Sequence, residues 1–232
     1  MLCTWLHRAG NAQAIVFFNG WGMDGRVVAH MQPAGYDVLE VHDYRHAGAL
    51  PTALASYEKK HVVAWSTGVM FSACYPEGWA SAVALNGTGR TVDNAYGIPE
   101  RAFAITIRRF SAAVCAAFMA KAAMPVPCRA HAALGMAEGL PVLPTPLAAA
   151  FSANCCDESS LEALRDELCA IQAFVPPLSL MFTRAFVSEA DEIMPAAHQR
   201  AWWARQGLAP RPLGGGHYPF AAFTSWAELI NA

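Results

Sequence analysis

Residues 61–70 read His61-Val62-Val63-Ala64-Trp65-Ser66-Thr67-Gly68-Val69-Met70. The apolar run 62–65 predicts a buried parallel strand, and residues 67–75 predict a helix that ends before Pro76. A serine between a strand and a helix matches the small-x-Ser-x-Gly form of the nucleophile elbow, in which a sharp turn lifts the hydroxyl off the sheet. The stretch therefore predicts Ser66 as a nucleophile. Its structural alternative is a strand-to-helix junction with a capping serine.

The residues around Ser66 suit this chemistry to different degrees. A helix that begins beside the serine brings backbone N–H groups and the positive end of the helix dipole to the place where an oxyanion would form. Gly68 has no side chain, which lets the helix approach the neighbouring strand closely. Ala64 occupies the position of the usual first glycine, so the pattern is only moderately specific. A catalytic role for Ser66 therefore requires partner residues elsewhere in the chain.

The composition favours one sizeable α/β domain. A chain of 232 residues that is 55% hydrophobic and 15% charged can build a large core with an apolar cleft. The net charge of −2 carries no signature of nucleic-acid binding. We expect a single domain over residues 1–232, with residues 90–175 as a helical lid insertion.

Targeting signals and cysteine usage favour a cytoplasmic protein. The first residues contain no long apolar export segment, and no window reaches the roughly 18 uncharged apolar residues of a membrane span. The seven cysteines are scattered along the chain without metal-ligand spacing, at positions 3, 74, 115, 128, 155, 156 and 169. Such usage indicates free thiols in a reducing cytosol.

Four apolar runs in the first ninety residues predict strands with helices between them: 14–18, 36–41, 61–65 and 82–85. This order predicts a mostly parallel sheet with helices on both faces and a ligand site at the carboxyl ends of its strands. Loops with two glycines follow two of these runs, at residues 19–22 and 86–89. Neither loop continues as a dinucleotide fingerprint, so no nucleotide cofactor is expected.

Residues 90–175 are richer in alanine, arginine and proline, and they predict helices rather than strands. One helix is predicted over residues 100–123, and a second begins at a capping box formed by Ser159 and Glu162. The second helix carries an apolar stripe made of Leu161, Leu164, Leu168 and Ile171. We interpret this block as a lid over the sheet. The alternative is another wall of the main core.

After this block the sheet is predicted to resume with a strand over residues 178–187. A polar loop at residues 188–195 carries Asp191, and a helix over residues 195–206 follows it. Three glycines then precede His217, which frees the backbone to place one imidazole in a tight space. The chain order serine, acid, histidine is the order of α/β-hydrolase triads.

Alternatives remain for these site residues. The spacing alone does not decide whether Asp191, Glu189 or Glu192 is the acid, and His217 could be an ordinary loop histidine. His42 and His46 share helical spacing, but they lack a third ligand, so the sequence predicts no metal site.

Several motifs together resemble one family. They are Asn19-Gly20-Trp21-Gly22, Val63-Ala64-Trp65-Ser66-Thr67-Gly68-Val69, Asn86-Gly87-Thr88-Gly89 and Gly97-Ile98-Pro99. With Asp191 and the Gly-x-His217 motif downstream, the chain resembles the pimeloyl-acyl-carrier-protein methyl ester esterases of biotin synthesis, BioG type. The resemblance spans nearly the whole chain, and it includes Ala64. Thr67 stands where methionine would be expected.

The resemblance implies an α/β-hydrolase fold with a helical cap and a triad of Ser66, His217 and Asp191. Asp191 is preferred as the acid because the family loop follows the pattern Asp-x-Ile/Val-x-Pro. The implied reaction is hydrolysis of the methyl ester without a metal or cofactor, with the N–H groups of Trp21 and Thr67 as the oxyanion hole. Trp21 and Trp65 are expected to wall the acyl channel. A place in the structural core is the alternative for both indoles.

The implied partner is an acyl-carrier protein. Carrier proteins are acidic, so a chain of net charge −2 needs positive charge concentrated at the docking face. The cations of the proposed lid are candidates: Arg101, Arg108, Arg109, Lys121 and Arg129. A solvated helix face without a partner is the alternative.

Two other functions use the same fold. A general small-ester carboxylesterase or thioesterase would share every catalytic residue named above. A non-catalytic binding module would not need the serine, acid and histidine in this order, so the order argues against it.

Overall fold

The computed structural model describes residues 1–46, 48–76, 78–122, 128–133, 160–177 and 182–232. These residues form a seven-stranded sheet with the strand order β1-β3-β2-β4-β5-β6-β7. The strands are β1 (Leu2–His7), β2 (Gln13–Phe18), β3 (Tyr36–His42), β4 (Lys59–Trp65), β5 (Ser81–Leu85), β6 (Arg184–Ser188) and β7 (Arg211–Leu213). Only β1 runs antiparallel to its neighbour, so the prediction of a mostly parallel sheet is confirmed.

The helices of the described residues are α1 (Thr67–Ser72), α2 (Glu100–Arg108), α3 (Ala112–Lys121), α4 (Arg129–Ala133), α5 (Leu161–Ala173), α6 (Ala196–Arg205) and α7 (Trp226–Asn231). Three short 3-10 helices cover Gly25–Val28, Thr52–Ser56 and Phe220–Ala222. No helix in the described ranges is long and apolar enough to cross a bilayer.

The central strands are apolar throughout because both faces of the sheet are covered. Residues 14–18 of β2 have no exposed surface, and the last four residues of both β4 and β5 are equally buried. Parallel strands buried on both faces have this continuous apolar character rather than an alternating one. All four strands predicted from the first ninety residues are confirmed, each with small differences at its ends.

The two edge strands were not predicted. Strand β1 is half-buried along most of its length, so it lacks the continuous apolar run that marks the centre of the sheet. Strand β7 has three residues and contains Pro212, a residue that the centre of a sheet does not tolerate. Both strands form through pairing with a neighbouring strand, β1 with β3 and β7 with β6.

The prediction of one helix over residues 100–123 is wrong. Two helices occupy this range, because the Ser111 hydroxyl accepts a hydrogen bond from the Val114 N–H at 3.3 Å and starts α3 anew. The capping box predicted for the next long helix is also not the observed cap. There the Ser160 hydroxyl accepts from the Ala163 N–H at 3.0 Å, while Ser159 lies outside the described residues.

The block predicted as a lid contributes helices α2 to α5. The apolar stripe of α5 is confirmed, since Leu164, Leu168 and Ile171 are buried. The proline-rich part of the block lies outside the described residues. Its role as a lid stays a prediction.

Candidate active site

Ser66 lies at the junction of β4 and α1 with φ 57° and ψ −125°. Few non-glycine residues adopt a positive φ, and such strain persists only where the surroundings enforce it. Here two glycines allow the backbone to come close on both sides. A Cβ atom on Gly68 would lie 2.2 Å from the Phe18 carbonyl oxygen, and one on Gly87 would lie 2.3 Å from the Ser66 carbonyl oxygen. The junction therefore has the geometry of a nucleophile elbow.

The structure brings Ser66, His217 and Asp191 together in one chain of hydrogen bonds. The Ser66 Oγ lies 2.8 Å from His217 Nε2, and His217 Nδ1 lies 2.8 Å from Asp191 Oδ2. All three residues are buried. A hydroxyl paired with an imidazole that is itself oriented by a carboxylate is the arrangement that activates a serine for attack.

The loop after β6 fixes the Asp191 carboxylate from several directions. Its Oδ1 accepts from the N–H groups of Ile193 at 2.8 Å and Met194 at 2.9 Å, and its Oδ2 accepts from the Gln199 side chain at 2.9 Å. Burial alone would raise the pKa of this carboxyl, but the His217 ring and the two backbone N–H groups lower the pKa below its usual value. Asp191 is therefore ionised and held in one orientation.

The two alternative acids lie elsewhere. Glu189 is exposed and forms an ion pair with Arg200 on α6. Glu192 is exposed as well. Asp191 is the acid that contacts His217, in agreement with the residue preferred from the family pattern.

Asn86 and Trp65 hold the backbone that carries His217. The Trp65 Nε1–H donates to the His217 carbonyl oxygen at 2.9 Å, and Asn86 Nδ2 donates to the same oxygen at 3.0 Å. Asn86 also joins β5 to β6, since its Oδ1 accepts from the Ser188 N–H at 2.7 Å. Because Trp65 has no exposed surface, its contacts support the core alternative rather than the predicted wall of an acyl channel.

Sequence reasoning assigned no role to Asn86 or Gln199. Both side chains have no exposed surface, and they donate hydrogen bonds to His217 and Asp191 respectively. A signal existed for Asn86, which follows an apolar strand and precedes a glycine at the predicted ligand edge of the sheet. No comparable signal marks Gln199, whose position depends on the turn between β6 and α6.

Trp21 and Thr67 are the residues expected to supply the backbone N–H groups of the oxyanion hole. Thr67 is the first residue of α1, so its N–H has no partner within the helix. Trp21 follows β2, and its indole Nε1–H donates to the Leu164 carbonyl oxygen of α5 at 2.9 Å. The indole ring also packs edge-on against Phe118, with 4.9 Å between ring centroids. Their service as an oxyanion hole stays a prediction.

Three of the five proposed docking cations are the arginines of α2 and its end. Arg101, Arg108 and Arg109 are exposed, and Arg101 and Arg108 lie on the side of α2 opposite the buried Phe103 and Ile107. Lys121 at the end of α3 is exposed too.

Arg129 does not belong to this exposed group. Its side chain is buried and forms ion pairs with Asp43 and Glu167, so the expectation that it helps to dock a partner is wrong.

The residues considered for a metal have other contacts. His42 Nδ1 lies 3.3 Å from a carboxylate oxygen of Glu40. Within the described ranges, no three His, Cys, Asp or Glu side chains are grouped to hold a metal ion. Cys3, Cys74, Cys115 and Cys169 are free thiols, and the Cys128 thiol lies 3.7 Å from Met119 Sδ. Cys155 and Cys156 lie outside the described residues.

A family model described as "Pimeloyl-ACP methyl esterase BioG" matches residues 1–123. The chain belongs to the BioG family. The resemblance inferred from the motifs is thereby confirmed. The matched region contains Ser66, Trp21 and Thr67, whereas Asp191 and His217 lie beyond it and are joined to Ser66 by the geometry above.

Similarities to other proteins support the assignment to the BioG family. The crystal structure of BioG from Haemophilus influenzae has a TM-score of 0.78 and 27% sequence identity, and the match covers 99% of this chain and 100% of that one. A malonyl-[acyl-carrier protein] O-methyltransferase from Bacteroides fragilis is 29% identical over 214 residues, which are 89% of this chain. This chain spans only 39% of that methyltransferase's length.

A more distant solved structure has the same architecture. An aryl esterase from Burkholderia cenocepacia has a TM-score of 0.56 over 94% of this chain and 87% of its own. Its 15% identity to this chain is informative about the fold alone. The predicted α/β-hydrolase fold is confirmed.

Proposed function

We propose that this chain is a serine esterase that hydrolyses the methyl ester of pimeloyl-acyl-carrier protein and so frees the pimeloyl carboxylate for biotin synthesis. The observation that carries the proposal is the pair of 2.8 Å contacts joining Ser66, His217 and Asp191 at a strained elbow in a BioG-family chain. An elbow with both partners in place is the arrangement needed for acyl transfer through a serine ester.

In the first half-reaction, the Ser66 Oγ attacks the ester carbonyl carbon while His217 Nε2 takes the hydroxyl proton. The tetrahedral intermediate carries an oxyanion, which accepts hydrogen bonds from the N–H groups of Trp21 and Thr67. The imidazolium then gives its proton to the departing methanol, leaving an acyl-serine. Asp191 keeps the ring oriented and stabilises its positive charge throughout.

In the second half-reaction, water attacks the acyl-serine and His217 takes its proton. The oxyanion forms again in the same hole, and protonation of Ser66 Oγ releases the carboxylic acid. No step requires a metal or a cofactor.

The exposed arginines support an acidic carrier protein as the partner. Arg108 and Arg109 are adjacent at the end of α2, and Phe110 directly after them packs edge-on against Trp21 at 6.0 Å between ring centroids. A carrier held by these cations would deliver its acyl arm close to Trp21 and the loop that follows β2. Carboxylates of the carrier would meet arginine side chains, which bind such groups through two hydrogen bonds.

The deciding experiment is turnover of the carrier-linked methyl ester by the wild-type protein beside Ser66→Ala and His217→Ala. Each substitution should abolish turnover and leave the circular dichroism spectrum unchanged. Labelling by a fluorophosphonate should require Ser66 for the same reason. Activity above a few per cent in either folded variant would place the nucleophile or the base elsewhere.

A panel of simple methyl, ethyl and aryl esters separates this activity from a general carboxylesterase. The proposal requires a much higher kcat/KM for the carrier-linked methyl ester than for any small ester. Equal values across the panel would assign the chain to the general class. No labelling and no turnover of any substrate would point to a binding module.

A further inference from the structure

A cluster of buried charges lies beside the loop that follows β2, and the reaction above does not use it. We call residues 19–24 the oxyanion loop. The cluster contains four carboxylates and three guanidinium groups, from Asp24, Glu40, Asp43, Glu167, Arg26, Arg45 and Arg129. All four acidic residues and Arg129 are buried. Burying a charge is costly unless it is paired, and buried pairs are weak contributors to stability, so this cluster calls for another role.

Arg129 connects three parts of the chain within this cluster. Its Nη1 lies 3.1 Å from Asp43 Oδ2 just after β3, and its Nη2 contacts Glu167 Oε2 on α5. The other oxygen of Glu167 accepts from the Tyr44 N–H at 3.1 Å. Because Arg129 begins α4, this one side chain fastens α4 and α5 to the end of β3.

Helices α4 and α5 in turn contact the oxyanion loop directly. The Ala130 N–H donates to the Gly22 carbonyl oxygen at 2.9 Å, and the Trp21 indole donates to the Leu164 carbonyl oxygen at 2.9 Å. Gly22 has φ +69°, and a Cβ atom on it would lie 3.3 Å from Ala130 Cβ. The helices that Arg129 fastens therefore contact the oxyanion loop at two consecutive residues, Trp21 and Gly22.

We propose that Arg129 is a positioning residue for the oxyanion hole. By pairing with Asp43 and Glu167 it holds α4 and α5 against the oxyanion loop and thereby fixes the N–H of Trp21. This inference rests on the proposed function, because it assigns the Trp21 N–H to the oxyanion. An oxyanion donor is effective only within a few tenths of an ångström of its best position, and a charged pair with fixed geometry sets position more strictly than apolar packing.

The test measures kcat and KM on a small methyl ester, which needs no carrier docking. Arg129→Met removes the charge and leaves the buried Glu167 without its ion pair, whereas Asp43 keeps its ion pair with Arg45. Arg129→Met with Glu167→Met removes both members of one pair and should recover much of the lost stability.

We expect both variants to lose about ten- to a hundred-fold in kcat, part of the roughly 10²–10³ that loss of a whole oxyanion donor costs. KM should stay close to the wild-type value, because the oxyanion exists only after attack. Arg129→Lys, which restores one charge, should be intermediate.

Two control variants separate positioning from general damage. Arg184→Met removes an arginine at the start of β6, where it donates to the Ala232 carbonyl oxygen at 2.8 Å, and it should keep the wild-type kcat. Ile230→Ala removes a buried side chain of α7 and should lower the melting temperature while leaving kcat of the folded protein unchanged.

The outcomes distinguish this inference from the proposed function. A wild-type protein that neither turns over the small ester nor reacts with a fluorophosphonate would refute the proposed function and the inference with it. An active wild type whose Arg129→Met, Glu167→Met double variant keeps full kcat would refute the inference alone. An equal kcat loss in Ile230→Ala would do the same. A low kcat in the double variant at near wild-type stability would support the inference even if Arg129→Met alone failed to fold.

Discussion

At Ser66 the backbone is held in a conformation that costs a non-glycine residue about 1–3 kcal/mol. The pair φ 57°, ψ −125° persists because β4, α1 and the loop after β5 meet there without side chains between them. Gly87 packs directly against Ser66, since a Cβ atom on Gly87 would lie 2.3 Å from the Ser66 carbonyl oxygen and 2.7 Å from Val69 Cγ2. The orientation of the Ser66 hydroxyl thus depends on the missing side chains of Gly68 and Gly87 as well as on its hydrogen bond to His217.

Gly87→Ala should therefore damage the elbow. We expect a loss of about 3 kcal/mol or more in the free energy of unfolding, because the new methyl group meets backbone that cannot move aside. The rate of fluorophosphonate labelling of Ser66 should fall as well. Gly214→Ala is the matched control, since a Cβ atom there meets nothing within 4 Å. Equal effects of the two substitutions on denaturant unfolding would contradict this account of the elbow.

Asp191→Asn should reduce turnover by about 10⁴, because the His217 ring loses both its orienting acceptor and the charge that stabilises its protonated form. Glu189→Gln should leave kcat at the wild-type value, since Glu189 is paired with Arg200 at the surface. Steady-state kinetics on a small ester measures both variants. The assignment of the acid is wrong if the glutamine substitution is the damaging one.

The triad shows how far single residues can be predicted from sequence. Ser66 and His217 were identifiable because a local pattern surrounds each one. Asp191 was one of three acids in the same loop, and the spacing alone left the choice open. What distinguishes it is burial together with hydrogen bonds from Ile193 and Met194, which exist only once the loop has turned. Asn86 contacts Ser188 and His217, which lie more than a hundred positions away in sequence, so no local pattern reports its role. Gln199 contacts Asp191 across the turn between β6 and α6, and this contact exists only once the turn has formed.

At the scale of elements, Asp37 fastens the turn between β1 and β2 to the start of β3. Its carboxylate accepts from the N–H groups of Ala9 at 2.9 Å and Gly10 at 3.1 Å, and from the Tyr57 hydroxyl at 2.7 Å. Burial would raise the pKa of this carboxyl, but the hydrogen bonds outweigh it and lower the pKa to about 2. This side chain thus adds to the pairing of β1 with β3 by fixing the turn between β1 and β2.

The stabilisation by Asp37 should depend on pH in a defined window. Its folded pKa lies below the unfolded value, so the contribution is complete above about pH 4 and is lost as the pH falls toward 2. At pH 7 Asp37→Asn should lower the free energy of unfolding by about 1–3 kcal/mol, since hydrogen bonds to a charged acceptor are lost. Urea titrations at pH 7 and pH 2.5 should show this difference shrinking. A difference that stays constant down to pH 2.5 would argue that the carboxylate charge is unimportant.

Elements were predictable where one local property decides them. The central strands are apolar on both faces, and the sequence displays this directly. Strand β7 could not be predicted, because its three residues owe their conformation to pairing with β6. The break between α2 and α3 was visible only as Ser111, a residue that a continuous helix also accommodates. The cluster around Arg129 brings together residues more than a hundred positions apart, such as Asp24 and Glu167, so no sequence pattern announces it.

For the whole molecule, the distribution of charge matters more for binding an acidic partner than the net charge does. A net charge of −2 would repel an acidic carrier protein weakly at long range. The cations therefore have to be concentrated where the carrier docks. Arg101, Arg108 and Arg109 are our proposed docking surface; the burial of Arg129 in ion pairs removes that residue from the candidates, and Lys121 stays exposed at the end of α3.

Arg108→Glu combined with Arg109→Glu should raise KM steeply for the carrier-linked methyl ester. The effect should be larger at low salt, where the Debye length is long and the reversed charges repel the carrier over a greater distance. A small methyl ester should be hydrolysed at the wild-type rate, because neither arginine contacts Ser66 or His217. Kinetics on both substrates at about 20 mM and 200 mM salt measures the effect, since the Debye length shortens about three-fold over this range.

The matched control is Arg8→Glu combined with Lys59→Glu, which changes the net charge by the same amount. Both residues are exposed. They lie at the end of the strands opposite to Ser66, because Lys59 is the first residue of β4, whereas Ser66 follows the last one. Arg8 follows β1 at the place where β1 pairs with the start of β3. This control should show only the weak effect of net charge on KM for the carrier-linked ester. Equal KM increases in the two double variants would mean that overall repulsion is sufficient and that α2 is not the docking face. A loss on the small ester in the α2 variant alone would instead indicate that α2 shapes the active site, because Phe110 next to Arg109 packs against Trp21 of the oxyanion loop.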